Sequence, residues 1–180
     1  MTGLSEGHSG PSQLLDESLA LLNHRTPIGR AFSAANTAFH LALQWCPDCE
    51  REQYPPAEVC GGCLGTDIQF RISTGKGQLL SRTELSHSLI PYFQHRMLLD
   101  GRWLVGLIRL DSGPIVFAHL SDGAFRTQDR VQVFTYNHPR LETMLIAMPA
   151  AECPVTTGEQ CSVISRLSLD RGVNPAKDEQ

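Results

Sequence analysis

Four cysteines constrain this chain more than any other feature. They stand as Cys46-Pro-Asp-Cys49 and, ten residues later, Cys60-Gly-Gly-Cys63. A Cys-x-x-Cys pair lets one tight turn present two sulfurs to one ion. Four such thiolates close a tetrahedron around a borderline-soft metal, with zinc the first expectation. Two knuckles carried on two short β-hairpins would make a zinc ribbon. Four protein ligands leave no open position for water, so the metal at Cys46, Cys49, Cys60 and Cys63 is expected to be structural. Two redox dithiols and an iron–sulfur centre are the competing readings of this spacing.

The chain has 180 residues, enough for one moderate domain or two small ones. Hydrophobic residues make up 41% and charged residues 19%, which supports a packed core rather than wholesale disorder. The net charge of −4 argues against a protein that coats nucleic acid. Lysine occurs only twice, at Lys76 and Lys177. No apolar run reaches the length of a membrane span, and the first fifteen residues lack a basic-then-apolar export signal. Paired Cys-x-x-Cys in that context reads as metal held in a reducing cytoplasm.

Along the chain, residues 1–11 are Gly- and Ser-rich. Leu15, Leu19 and Leu22 predict a short helix over residues 12–22, and Thr26-Pro27 can start a second. A stripe of Ala31, Phe32, Ala35, Ala38, Phe39 and Ala42 predicts that the second helix runs over 30–43. The ribbon is expected over 41–70, stiffened at Pro55-Pro56. After Gly75-Lys76-Gly77 the period becomes that of a strand. Further strands are expected at 103–110 and 115–120, joined by the turn signal Asp111-Ser112-Gly113, and at 130–136. Four or five short antiparallel strands suit a small barrel of OB type, although other small barrels and a sandwich would give similar strings. Cys153 and Cys161 lack knuckle spacing and read as free thiols.

These pieces together resemble the rubredoxin-like zinc-ribbon/OB-fold proteins associated with thiolases and acyl-CoA metabolism. The resemblance rests on Leu41-Ala-Leu-Gln-Trp-Cys46-Pro-x-Cys49, Tyr54-Pro-Pro, Cys60-x-x-Cys63, Gly75-Lys-Gly77 and Leu107-Ile-Arg-Leu-Asp-x-Gly113, and covers about 30–136. It implies a mainly β protein with N-terminal helices, in which a ribbon is followed by the barrel. The corresponding division is 1–29 an extension with a short helix, 30–70 helix plus ribbon, 71–140 barrel, and 141–180 a C-terminal extension. The chain departs from the family pattern at Glu50, where glycine is common after the first knuckle, at Ala57, and at Thr127-Gln-Asp-Arg130.

Family members of this kind are typically not independent enzymes. The resemblance implies a hetero-oligomer with a thiolase-like acyltransferase, aldolase or synthase, or with a hot-dog hydratase, and acyl-CoA as a shared ligand. No nucleophile elbow, phosphate loop or His-Glu-x-x-His helix stands in the sequence, so no catalytic residue is assigned. The long loop 88–102 is the candidate contact surface. Tyr92, Phe93 and Arg96, with Trp103 beyond them, are side chains that interface cores favour. The alternative class is a nucleic-acid-binding module, since ribbons and OB barrels both occur in single-strand binders. Ten basic against ten acidic residues over 41–140 leave no basic excess for it.

Overall fold

The computed structural model describes residues 26–36, 39–88, 97, 103–121, 124–138, 142–150, 164 and 167. The expected helix over 12–22, Cys153 and Cys161 lie outside the described residues. Among the described residues one helix, α1 (Pro27–Ala35), precedes eight strands. No helix among the described residues is long and apolar enough to cross a membrane.

The α1 helix starts where Thr26-Pro27 predicts. Thr26 is the N-cap, its hydroxyl accepts from the Gly29 amide at 3.2 Å, and proline opens the first turn. The helix stops well short of residue 43, however. Asn36 ends it by making tertiary bonds that a helix cannot offer. Its side-chain amide donates to the Phe32 carbonyl (2.8 Å) and the Ala42 carbonyl (3.0 Å), and its Oδ1 accepts from the Ala42 amide (2.7 Å). Phe39 then takes a left-handed φ of 71° and turns the chain into a strand. The apolar spacing that mimics a continuing helix instead places Leu41 and Leu43 in the core.

The ribbon is a three-stranded antiparallel sheet, not two separate hairpins. Strands β1 (Ala42–Cys46), β2 (Arg51–Gln53) and β3 (Gln69–Ile72) run in the order β2-β1-β3. The first knuckle tips the β1–β2 hairpin. The second sits on the connection from β2 to β3, held by its own turn: Cys60 N–H to Gly65 O and Leu64 N–H to Cys60 O, both 2.9 Å.

Five strands close the barrel: β4 (Lys76–Leu85), β5 (Trp103–Leu110), β6 (Ile115–Leu120), β7 (Arg130–His138) and β8 (Glu142–Pro149), in the order β4-β5-β6-β8-β7. That order is the OB arrangement. The turn Asp111-Ser112-Gly113 joins β5 to β6, with Gly113 at a φ of 113°. At Gly75, φ is 65° and a Cβ would stand 2.1 Å from the Val133 carbonyl oxygen, so only glycine fits where the chain enters the barrel. A bulge at Leu80 shifts the β4 register, which breaks the simple alternation expected there.

The barrel does not end at residue 140. Strand β8, placed by sequence in the C-terminal extension, pairs antiparallel with β7 from Val131↔Pro149 to His138↔Glu142 and closes parallel onto β6 at His119↔Ile146 and Leu120↔Ala147. Its apolar run hides the strand period because both faces are buried. Leu145 and Ala147 point into the barrel beside Val116, Leu120 and Val133. Met144, Ile146 and Met148 pack on the outside with Trp103, Val105, Phe134 and Ile164.

Ribbon and barrel share one apolar cluster. Phe32, Leu41 and Leu43 belong with Leu79, Ile108 and Leu110. Phe32 also meets the rings of Tyr54 and Phe70, with centroids 5.9 and 6.3 Å away. Polar ties reinforce the seam. The Phe39 amide donates to the Thr135 carbonyl (2.7 Å), the Thr135 hydroxyl donates to the His40 carbonyl, and Asn137 donates to the Asn36 carbonyl (3.1 Å).

Candidate metal centre and its surroundings

Cys46 ends β1, and Cys49 closes the turn that follows it. Cys60 and Cys63 come from the β2–β3 connection. The four sulfurs all lie within 4.8 Å of one another. Cys46 Sγ to Cys63 Sγ is 3.6 Å, and Cys60 Sγ to Cys49 Sγ is 3.7 Å. A tetrahedron with metal–sulfur bonds of about 2.3 Å has edges of about 3.8 Å, so the cluster can hold a four-coordinate ion. Cys46 and Cys60 are buried, Cys49 is half-buried and Cys63 is exposed.

Small residues let the backbone pass close to the sulfurs. A Cβ on Gly62 would come within 3.2 Å of Cys49 Sγ, and one on Gly65 within 3.3 Å of Cys63 Sγ. The residue after each knuckle is left-handed: Glu50 at φ 51° and Leu64 at φ 62°. Each costs a side-chain-bearing residue roughly 1 kcal/mol. The strain at Glu50 is the one its sequence position predicts. Leu64 repeats it at the second knuckle and is 73% exposed.

The thiols are not equivalent. The backbone amides of Cys63 and Gly62 hold Cys60 down to about 6. Side-chain hydrogen bonds from Cys63 and Cys60, with burial behind them, push Cys49 up to about 12. Burial raises Cys46. Capture of a metal ion would therefore begin from a cluster that is only partly ionised, and would release protons.

Two glutamines with no metal-ligating role build the second knuckle's seat. Gln44, buried on β1, donates to the Ala57 carbonyl (2.9 Å). Its Oε1 accepts from the Ala57 amide (2.8 Å) and from Gln53 Nε2 (2.9 Å). Gln53 continues the relay, accepting from the Gly61 amide at 3.0 Å and donating to the Val59 carbonyl at 3.2 Å. On the barrel side, Glu52 Oε2 accepts from Ser73 Oγ (2.8 Å) and from Ser112 Oγ (2.5 Å), tying the ribbon to the β5–β6 turn. The sequence signal for these polar residues is their position on the two strands that flank the first knuckle, with Gln44 inside the Leu41–Cys46 run that carries the family resemblance.

Of the contact residues expected near the long loop, Tyr92, Phe93 and Arg96 lie outside the described residues. Trp103 is not on the surface. It is 5% exposed, in the outer cluster, with Met97 packed against the same cluster. Sequence cannot separate an aromatic that faces a partner from one that faces its own barrel. Among the described residues, the large apolar side chains exposed on the barrel are Leu107, Ile115 and Phe117 instead, each with a little under half its surface in solvent. Leu107 and Phe117 flank a groove of about 200 Å³ with Arg82 at its rim. A larger cleft, about 580 Å³, lies between the knuckles and the β5–β6 turn.

No family model matches the chain, and no curated protein does. Solved structures do. One, described as "Ltp2-ChsH2(DUF35) aldolase", matches over 71% of this chain and 98% of that one, with a TM-score of 0.58 and 21% identity. Another, a DUF35 family protein of unknown function from Sulfolobus solfataricus, matches over 78% and 99%, with a TM-score of 0.49 and 14% identity. The ribbon-and-barrel fold described above is thus shared with the solved structure described as a DUF35 aldolase.

Proposed function

We propose that this chain is a non-catalytic accessory subunit of a thiolase-like complex, built around one structural zinc. The observation that carries the reading is the combination of a closed four-thiol centre with an OB barrel in one shared core, a fold also found in the DUF35 aldolase structure. Four thiolates at tetrahedral spacing are the donor set zinc prefers, and they offer no fifth group to act as base or nucleophile. The ion would stiffen the two knuckles; it would not meet substrate.

In this reading, the partner supplies the nucleophile and the chain supplies surface. The partner is a thiolase-like acyltransferase, aldolase or synthase, with a hot-dog hydratase as the second class. Acyl-CoA would bind where the two subunits meet, its phosphates met by arginine, because Lys76 is the only lysine before the last few residues. Arg82 and Arg109 are exposed on the barrel's outer face and are the described candidates. Arg96 and Arg102 lie outside the described residues.

Co-purification from the native host, with mass spectrometry of what remains bound, tests the reading. A thiolase-like protein in fixed stoichiometry is the expected result, with no acyl-transfer, thiolytic or retro-aldol turnover by the chain alone. Robust turnover by the isolated chain, abolished by one substitution on it, would overturn it.

A further inference from the structure

Charge that cancels over residues 41–140 is divided unequally between the ribbon and the barrel. Residues 42–72 hold five carboxylates, Asp48, Glu50, Glu52, Glu58 and Asp67, against Arg51 and Arg71. Among the described side chains of 73–149, five basic ones (Lys76, Arg82, Arg109, Arg126 and Arg130) stand against three acidic ones (Glu84, Asp111 and Asp129). Four thiolates around a dication would add two more negative charges to the ribbon. The ribbon is therefore acidic and the barrel weakly basic.

The acidic side has a concave place to act. The cleft of about 580 Å³ is walled by β2 and the residues on either side of it, from Cys49 to Tyr54, and by Gly61-Gly62. Its far wall is Ser112-Gly113-Pro114 of the barrel turn. Glu52, held by Ser73 and Ser112, fixes that separation. Glu50 is exposed at the cleft, and Arg51 is the single basic side chain among the described lining residues. Gly61 and Gly113 leave the walls open: a Cβ on either would meet nothing within 4 Å.

We propose that this cleft receives a lysine- or arginine-bearing segment of the partner subunit. The inference rests on the accessory-subunit reading and says which face of the chain docks and what chemistry it meets. Phosphate-bearing ligands are disfavoured there by the same carboxylates. A second copy would have to turn its barrel, not its ribbon, toward the cleft, because two ribbons repel.

The test uses the zinc-loaded full chain and the thiolase-like subunit that co-purifies with it, with affinity measured at low and near-physiological salt. Glu50→Lys should weaken binding about tenfold or more at low salt, with a smaller effect at higher salt. Gly61→Trp fills the cleft without touching charge and should weaken binding by at least about tenfold at both salts. Glu58→Lys makes the same charge change on the ribbon outside the cleft and should stay within about threefold of wild type. Zinc content and melting temperature check each variant. If Glu50→Lys loses its metal, Gly61→Trp decides. A wild-type complex that both cleft variants leave intact overturns the cleft and spares the accessory reading. No wild-type complex at all overturns both. Loss of a homo-oligomer in sedimentation of Glu50→Lys alone would assign the cleft to a second copy and overturn the proposal.

Discussion

The indole N–H of Trp103 donates to Nδ1 of His119 across 2.6 Å, between adjacent barrel strands. The two rings meet edge-on, with centroids 5.6 Å apart. The bond requires Nδ1 to be an acceptor, so His119 must be neutral with its proton on Nε2. Burial holds its pKa down to about 4.

A pH dependence follows from that pair. The unfolded histidine titrates near 6.5 and the folded one near 4, so between those values the unfolded chain binds more protons. Stability is full above about pH 6.5 and falls as pH drops toward 4, by on the order of 3 kcal/mol. Urea midpoints measured from pH 7.5 to 4 should show that slope, and His119→Gln should flatten it. An unchanged slope in the variant would mean the titration lies elsewhere.

Metal removal should reach beyond the ribbon. Purified protein is expected to hold one zinc per chain, and Cys46→Ser or Cys60→Ser to lose it. Because Leu41 and Leu43 belong to the barrel's own cluster, either variant should also lower the melting temperature of the barrel strands. Elemental analysis and far-ultraviolet melting check this. Metal loss with an unshifted barrel transition would show that the two parts are energetically separate.

Gln44→Ala should loosen the second knuckle. It strands the Ala57 amide and carbonyl in a part-buried site and removes one of the three bonds of Gln53, at a cost of about 2–3 kcal/mol. Zinc should transfer faster to a competing chelator than from wild type. Equal transfer rates would contradict the relay from Gln44 through Gln53 to Gly61.

Leu64→Gly should be neutral or stabilising. Leu64 is left-handed and mostly in solvent, so glycine removes up to about 1 kcal/mol of backbone strain while losing little burial. A melting temperature several degrees below wild type would mean that the side chain has a partner within the chain.

Much of the metal centre could be read in the sequence, because thiol spacing is a local property. The helix start at Thr26-Pro27, the glycine at 75, the turn at Gly113 and the strand expected at 130–136, which runs two residues further to His138, were legible for the same reason. What stayed hidden depends on contacts distant in sequence. The end of α1 is set by Asn36 reaching Ala42, which outweighs the helical stripe. Strand β8 is buried on both faces and so shows no alternation. Trp103 and Gln44 have roles that appear only once their neighbours are in place.

The strand that closes the barrel comes late in the chain, and this orders events during synthesis. All four cysteines and the three ribbon strands lie within residues 42–72, so the metal centre can assemble once that stretch has left the ribosome. The barrel must wait for β8. Until then β6 and the outer edge of β7 present unpaired backbone, with Ile115 and Phe117 beside them. A nascent chain paused before residue 142 would carry a finished ribbon next to an open, adhesive sheet.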